Sequence, residues 1–228
     1  MPTQPEVDLT PVMQDYLKVI CSASEWDTTP ITTSVIAARV GVSPSSASEM
    51  IRKLSGLGLI HHERYGAVEL TDTGRLLALR VIRRHRLVET YLVAELGYTW
   101  DEVHDEAEVL EHAISNLMLS RIDARLGYPT RDPHGDPIPT EDGRMVVPDA
   151  ARLTELEPGD TGTIARISDD DPGMLRYFTE HLLSLDATLT VLARRPYGAG
   201  IQIEVEGRTM DLGDQAAAAI WVTLVTPT

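Results

Sequence analysis

Cysteine is nearly missing from this chain: Cys21 stands alone in 228 residues. One thiol excludes an internal disulfide framework, and also any zinc site built on two or more cysteines of one chain. Long apolar runs are missing too. The longest, residues 216–222, falls well below the roughly 18 residues that a bilayer span needs, so no membrane partner is expected. Residues 1–6 carry neither a basic n-region nor an apolar h-region, so no signal peptide is expected and the default location is the cytoplasm. Basic side chains are scarce: 20 Lys and Arg stand against 35 Asp and Glu, a formal charge of −15. Taken whole, that argues against nucleic acid. The distribution argues otherwise. Residues 1–97 hold ten basic and eleven acidic side chains, while residues 98–228 hold ten and twenty-four. The front is almost neutral, and the back is acidic enough for a cation site or a solvated face.

What is present suits a folded chain of two or three small domains. Hydrophobic residues make up 43% and charged residues 24%, which excludes a disordered tail or a fibrous repeat. Leu9, Val12, Met13, Tyr16, Leu17 and Ile20 recur at three and four, predicting a helix over about 8–24. A second helix is expected over 32–40. Gly41 closes it, and Ser43 before Pro44 opens a third, running to about 57. Residues 59–70 read as two short strands about a Gly turn. Helix, helix, tight turn, helix and hairpin is the order of a winged helix-turn-helix. Its third helix begins with short hydroxyl side chains that let a helix N-terminus approach phosphate or a base edge. The expected DNA-facing residues are Thr33, Ser43, Pro44, Ser45, Ser46, Ser48, Glu49, Arg52 and Lys53, with Arg64 at the hairpin tip.

A long helix capped at 71–73 should run to about Leu96, with Arg75, Arg80, Arg83, Arg84 and Arg86 adding positive potential near the DNA side. Another helix should run from Thr99 to about Leu126, with a possible break near Asn116. Residues 128–147 read as a linker, being rich in Pro and Gly. Short strands are expected at 162–167, 188–193, 201–206 and 209–212, with a helix over 172–183 and a helical turn at 216–221 leading into a last strand. The fold class is therefore mainly α with a small β-rich C-terminal domain.

The chemistry concentrates after Thr99. On a continuous helix, His104, Glu108, Glu111 and Ser115 fall within about 60° of one another, and His112 adjoins them. The preceding helix offers His85 and Glu89 one turn apart, and the first helix offers Asp15. A His–Glu pair four apart is common surface chemistry. Two such helices beside an apolar stripe, with a further acid in reach, are what a divalent cation needs. No Glu-x-x-His pair supports a ferritin-like dimetal oxidase, there is no H-E-x-x-H, and no nucleophile suggests an enzyme.

Residues 103–112 (VHDEAEVLEH), with 84–89 (RHRLVE), 15–17 (DYL) and 132–139 (DPHGDPIP), resemble the diphtheria toxin repressor family of metal-dependent repressors over nearly the whole chain. The resemblance implies a winged-helix domain at 1–74, a helical dimerisation and metal domain at 75–140 and an SH3-like domain at 150–228. It implies a homodimer that binds a palindromic double-stranded DNA operator, with two metal sites per subunit. Its primary site would be Asp15, Glu108, Glu111 and His112. Its ancillary site would be His85, Glu89 and His104, with a ligand from the SH3-like domain drawn from Asp169, Asp170 and Asp171; Asp171 is the expected one. Iron-responsive members carry methionine and cysteine where this chain has Asp15 and Glu108. Hard oxygen donors in their place suit Mn²⁺ over Fe²⁺, resembling the manganese transport regulators. Lys18 departs from members with a second acid there and disfavours a closely spaced binuclear site. Met13, 200° from Asp15 around the helix, should pack rather than ligate. The alternatives are an iron-responsive (Fe²⁺) repressor of the same family, or a winged-helix regulator of a small organic ligand, whose pocket should be apolar.

Overall fold

The structure is a computed structural model that describes residues 9–26, 29–62 and 66–225. It divides into two compact units: residues 1–85, 111–114 and 139–145, and residues 86–110, 115–138 and 146–228.

In the first unit, helix α1 spans Pro11–Ala23. Thr10 caps it, its hydroxyl accepting from the Met13 N–H, and proline fills its first position. Its start falls later than the apolar repeat alone predicts because the cap and proline set it. Helix α2, Thr33–Val40, ends at Gly41 in the left-handed conformation, φ 72°. Helix α3, Pro44–Gly56, is capped by Ser43. Strands β1 (Ile60–His62) and β2 (Val68–Leu70) pair antiparallel with His61 opposite Glu69. Arg64 lies outside the described residues. Helix α4 spans Asp72–Leu96, its residues to His85 belonging to this unit and those from Arg86 to the second; the Thr71 hydroxyl accepts from Gly74 N–H at 3.1 Å. Gly74 is required there: a Cβ would meet the Leu59 carbonyl oxygen at 1.9 Å. Tyr16, Leu17, Ile36, Ile51, Leu54 and Ile82 are fully buried in the core of this unit. Met13 is buried with them, as expected of a packing residue.

In the second unit, α5 spans Val103–Leu110 and α6 spans Asn116–Arg125. A six-stranded antiparallel sheet follows: β3 (Ala151–Arg152), β4 (Thr161–Ile167), β5 (Thr188–Arg194), β6 (Ile201–Val205), β7 (Arg208–Leu212) and β8 (Ile220–Leu224). Its order is β3-β8-β4-β5-β6-β7. Helix α7, Pro172–Glu180, links β4 to β5, and the short α8, Asp214–Ala218, precedes β8. Alternate residues Ile164, Leu189, Val191, Ile203 and Val222 bury one face of the sheet against Leu175 and Phe178 of α7, the period-2 pattern of a half-buried sheet. The mainly α architecture with a winged hairpin and a C-terminal β domain is the one expected.

Two local expectations fail. Leu110 ends α5, and a new helix starts only at Asn116, so Glu111 and His112 sit in a turn rather than on a helical stripe. Ser115 explains the break, because its hydroxyl caps α6 through the Met118 N–H. Arg84 steadies the turn by donating to the carbonyls of Glu111 (3.4 Å) and Ile114 (3.1 Å). Nor is 128–147 a solvated linker: residues 134–139 are buried, together with Asp132.

Candidate metal centre

Two groups of acids and histidines each form within one unit. In the first, Asp15, Glu111 and His112 bring ligand atoms within 4.8 Å of one another. Asp15 comes from α1, and the turn after α5 supplies the other two. His112 Nε2 lies 2.8 Å from Asp15 Oδ1, and its Nδ1–H donates to Gln14 Oε1 at 3.1 Å. The Gln14 amide is oriented in turn by donating to the Leu9 carbonyl at 3.0 Å. A carbonyl on one ring nitrogen fixes the tautomer and aims the other, which is how metal-ligating histidines are commonly held. Gln14 carried no sequence signal beyond adjoining Asp15.

Glu111 is fully buried. His85 Nδ1 donates to its Oε2 at 2.6 Å, and Lys18 Nζ lies 2.8 and 3.0 Å from its two oxygens. Burial opposes its ionisation, but the His85 hydrogen bond and the Lys18 charge outweigh burial and hold the carboxyl below the usual range. In this unit His85 therefore serves Glu111.

The second group is Glu89, His134 and Asp169, again within 4.8 Å, with His104 Nδ1 3.4 Å from Glu89 and 3.3 Å from Asp169. Glu108 lies 3.6 Å from His104 Nε2, one turn along α5. His134 comes from the segment read as a linker. Asp132 Oδ1 accepts from the N–H groups of His134 (2.8 Å) and Asp136 (2.9 Å), folding the loop on itself. Gly135 at φ 94° lets it lie against β4, where a Cβ would meet the Ala165 carbonyl oxygen at 2.1 Å. Ile167 N–H then donates to the His134 carbonyl at 2.9 Å. That contact sets His134 beside the end of β4, where the chain runs on to Asp169.

His134 is fully buried. Its Nε2–H donates to the Trp100 carbonyl at 2.7 Å, and its Nδ1 has no hydrogen-bond partner among the described residues. A buried imidazole nitrogen left open beside two carboxylates fits a divalent cation. So does the crowding of acid. Burial, with Asp136 and Glu89 nearby, pushes the Asp132 carboxyl up to about 8 against the pull of Arg86 and His134. Burial disfavours charge on His104, yet Asp169 and Glu89 hold its proton and push it up to about 11.

Asp171, the expected ligand from the third domain, is occupied otherwise. Its Oδ1 accepts from Gly173 and Met174 and caps α7. Asp169, two residues earlier, is the acid that reaches His104. Three of the five α4 arginines also prove structural: besides Arg84, Arg83 and Arg86 donate to the carbonyls of Pro139 and Pro137, each at 2.7 Å. Arg75 and Arg80 are exposed.

On α3, Ser43, Pro44, Ser45, Ser46, Ser48, Glu49, Arg52 and Lys53 are all exposed, while Ala47, Ile51 and Leu54 face the core. Thr33 opens α2 and is half-buried. The Ser43 hydroxyl is partly spent on capping, at 3.2 Å from the Ser46 N–H.

Comparisons with known proteins agree with this layout. Residues 8–68 match the iron dependent repressor N-terminal DNA binding domain, and residues 71–140 its metal binding and dimerisation domain. Residues 151–224 match the FeoA domain. The iron-dependent repressor IdeR of Mycobacterium leprae is 34% identical over 182 residues, covering 77% of this chain and 75% of that protein. The diphtheria toxin repressor of Corynebacterium diphtheriae is 34% identical over 132 residues, 58% of each chain. Among solved structures, a manganese-dependent transcriptional repressor in complex with manganese superposes with a TM-score of 0.90 at 57% identity, covering 93% of this chain and 100% of that one. The manganese regulator SloR gives 0.79 at 33%, covering 95% and 100%.

Proposed function

The chain belongs to the iron-dependent repressor family, that of the diphtheria toxin repressor, and is a metal-dependent transcriptional repressor; on that premise we propose that its metal is Mn²⁺, bound at two sites per subunit. The observation that carries this reading is the donor set. Asp15, Glu111 and His112 offer two carboxylates and one imidazole. Glu89, Asp169, His104 and His134 offer two of each. No sulfur is among them, and hard oxygen donors suit Mn²⁺ better than they suit softer ions. The similarity to manganese-dependent repressors supports the same reading.

In the first unit, an ion held by Asp15, Glu111 and His112 would clamp α1 to the turn after α5. Asp15 stands on the helix that packs into the core of the DNA-binding unit. Fixing that helix fixes the presentation of α3, so that two copies in a homodimer meet successive major grooves of a palindromic operator. Exposed Val109, Leu117 and Met118 are the apolar side chains a second copy would cover. The acid in the second group comes from Asp169 rather than Asp171, and that group braces the second unit. The regulated genes are those of metal uptake, and the protein acts in the cytoplasm; among the described residues no helix is long and apolar enough to cross a membrane.

Titration of a labelled palindromic operator with the stripped chain, under a panel of divalent metals, tests the proposal. Tight binding with Mn²⁺ that chelator abolishes is expected, falling steeply with salt because contact is largely with phosphate. Asp15→Met replaces a hard carboxylate of the first group by a thioether and should move the response towards Fe²⁺ and Ni²⁺ under anaerobic conditions. A wild-type response strongest with Fe²⁺ would replace manganese by iron.

A further inference from the structure

Lys18 is out of place for a side chain beside a cation site. It lies on α1 three residues after Asp15, and its side chain is only 11% exposed. Its ammonium does not reach for solvent, as lysines at a surface do. It turns inward and spans both oxygens of Glu111, at 2.8 and 3.0 Å. Glu111 Oε1 also lies 3.4 Å from His112 Nε2. The ammonium and any ion shared by Asp15, Glu111 and His112 therefore draw on the same carboxylate.

We propose that Lys18 is an internal competitor for the metal, holding Glu111 in the stripped chain and setting the concentration at which the divalent ion is taken up. The inference rests on the metal reading of Asp15, Glu111 and His112. The charge balance gives its sense. Asp15 and Glu111 together carry two negative charges, which match a divalent ion. Lys18 subtracts one of them at hydrogen-bond distance, in a place with little water to screen it. The ion must share Glu111 with the ammonium or displace it. Either costs affinity, so uptake is held back until the metal is plentiful. The same ammonium keeps the buried Glu111 compensated without an ion, where an isolated buried carboxylate would destabilise the fold. Lys18 is thus a positioning and threshold residue that never needs to touch the metal.

The test is direct Mn²⁺ titration of the full chain, stripped with chelator, in a His134→Ala background that leaves the first group to report. Lys18→Gln keeps hydrogen-bond donors and loses the charge. Lys18→Arg keeps the charge. Lys18→Gln should bind Mn²⁺ at least about tenfold more tightly, while Lys18→Arg stays within roughly threefold of the parent. Thermal melts of the same samples should show Lys18→Gln less stable than the parent without metal and gaining more on adding it. Should Lys18→Gln fail to fold without metal, Lys18→Arg decides: binding no tighter than the parent upholds the competitor, and tighter binding overturns it. Unchanged or weaker binding by folded Lys18→Gln also overturns it. If the parent's binding survives His112→Ala, the metal reading of this group fails first, and the role of Lys18 fails with it.

Discussion

The two acid–histidine groups are built in opposite ways. The group in the first unit is assembled from a helix and a helix-ending turn, and it carries its own cation: Lys18 and His85 both hold Glu111. The group in the second unit is assembled from α4, α5, a buried loop and the chain beyond β4. Its acids are answered by histidine, with arginine one layer out: Arg166 Nε lies 2.7 Å from Asp136 and its guanidinium stacks over Trp221 at 4.3 Å. A bulge in β4 between Ile164 and Arg166 shifts the alternation there, and bulges re-aim side chains in this way. One group is compensated to stand without metal, whereas the other leaves an imidazole nitrogen of His134 without a partner among the described residues. The difference suggests a switch in the first unit and a brace in the second.

The contrast breaks most cleanly at the histidines. His112→Ala removes a ligand from the switch, and Mn²⁺-induced operator affinity should fall by more than the roughly 100-fold upper end seen when a residue that merely orients a ligand is changed. Fluorescence anisotropy with labelled operator measures it, and a variant within tenfold of wild type would dissolve the distinction. Gln14→Ala leaves the ligands but frees the His112 ring, so Mn²⁺ affinity in calorimetric titration should drop about 10-fold or somewhat more. His134→Ala should cost the second unit its ion and lower operator affinity by only about tenfold, a typical coupling between linked sites.

Smaller effects sharpen the picture. An unfolded histidine titrates near 6.5, and His104 is held up to about 11 by Asp169 and Glu89 against the effect of burial. Its contribution to the stripped chain is therefore complete below about pH 6.5 and is lost as pH climbs towards 11. A metal needs the neutral ring, so affinity at the second group should rise with pH over that window. Melting temperatures of stripped and Mn²⁺-loaded chain should diverge from pH 6.5 to 9, and a constant gap would detach His104 from the metal. The smallest change is Asp171→Ala. It should lower stability by about 1 kcal/mol through the lost cap of α7 and leave Mn²⁺ stoichiometry alone, whereas Asp169→Ala should reduce that stoichiometry.

The fold was legible where local chemistry decides it. Ser43 with Pro44, Gly41 and the apolar spacing of α1 and α3 mark the winged-helix unit residue by residue. Asp15 on α1, and Glu111 and His112 just after α5, were legible as candidates from their spacing to recognisable helices. The second group was only half visible. Glu89 and His104 lie on helices, but His134 hides in a stretch rich in proline and glycine, whose burial depends on Gly135 meeting the Ala165 backbone. No periodicity marks such a loop. Choosing among Asp169, Asp170 and Asp171 likewise needs the position where β4 ends and α7 begins, a boundary that Asp171 itself sets by capping. The structural part of Arg83, Arg84 and Arg86 was hidden for a related reason: the carbonyls they serve, at Glu111, Ile114, Pro137 and Pro139, carry no mark in the sequence.

Metal at Asp15, Glu111 and His112 should turn operator binding on, while the second group only braces. Counting bound Mn²⁺ by equilibrium dialysis, on the same samples used for operator titration, tests it most directly. Wild type should hold two ions per subunit and bind operator tightly. His112→Ala and His134→Ala should each hold one, and only His134→Ala should still respond to Mn²⁺. If His112→Ala holds one ion and responds as wild type does, while His134→Ala is silent, the switch lies in the second unit and the account is contradicted.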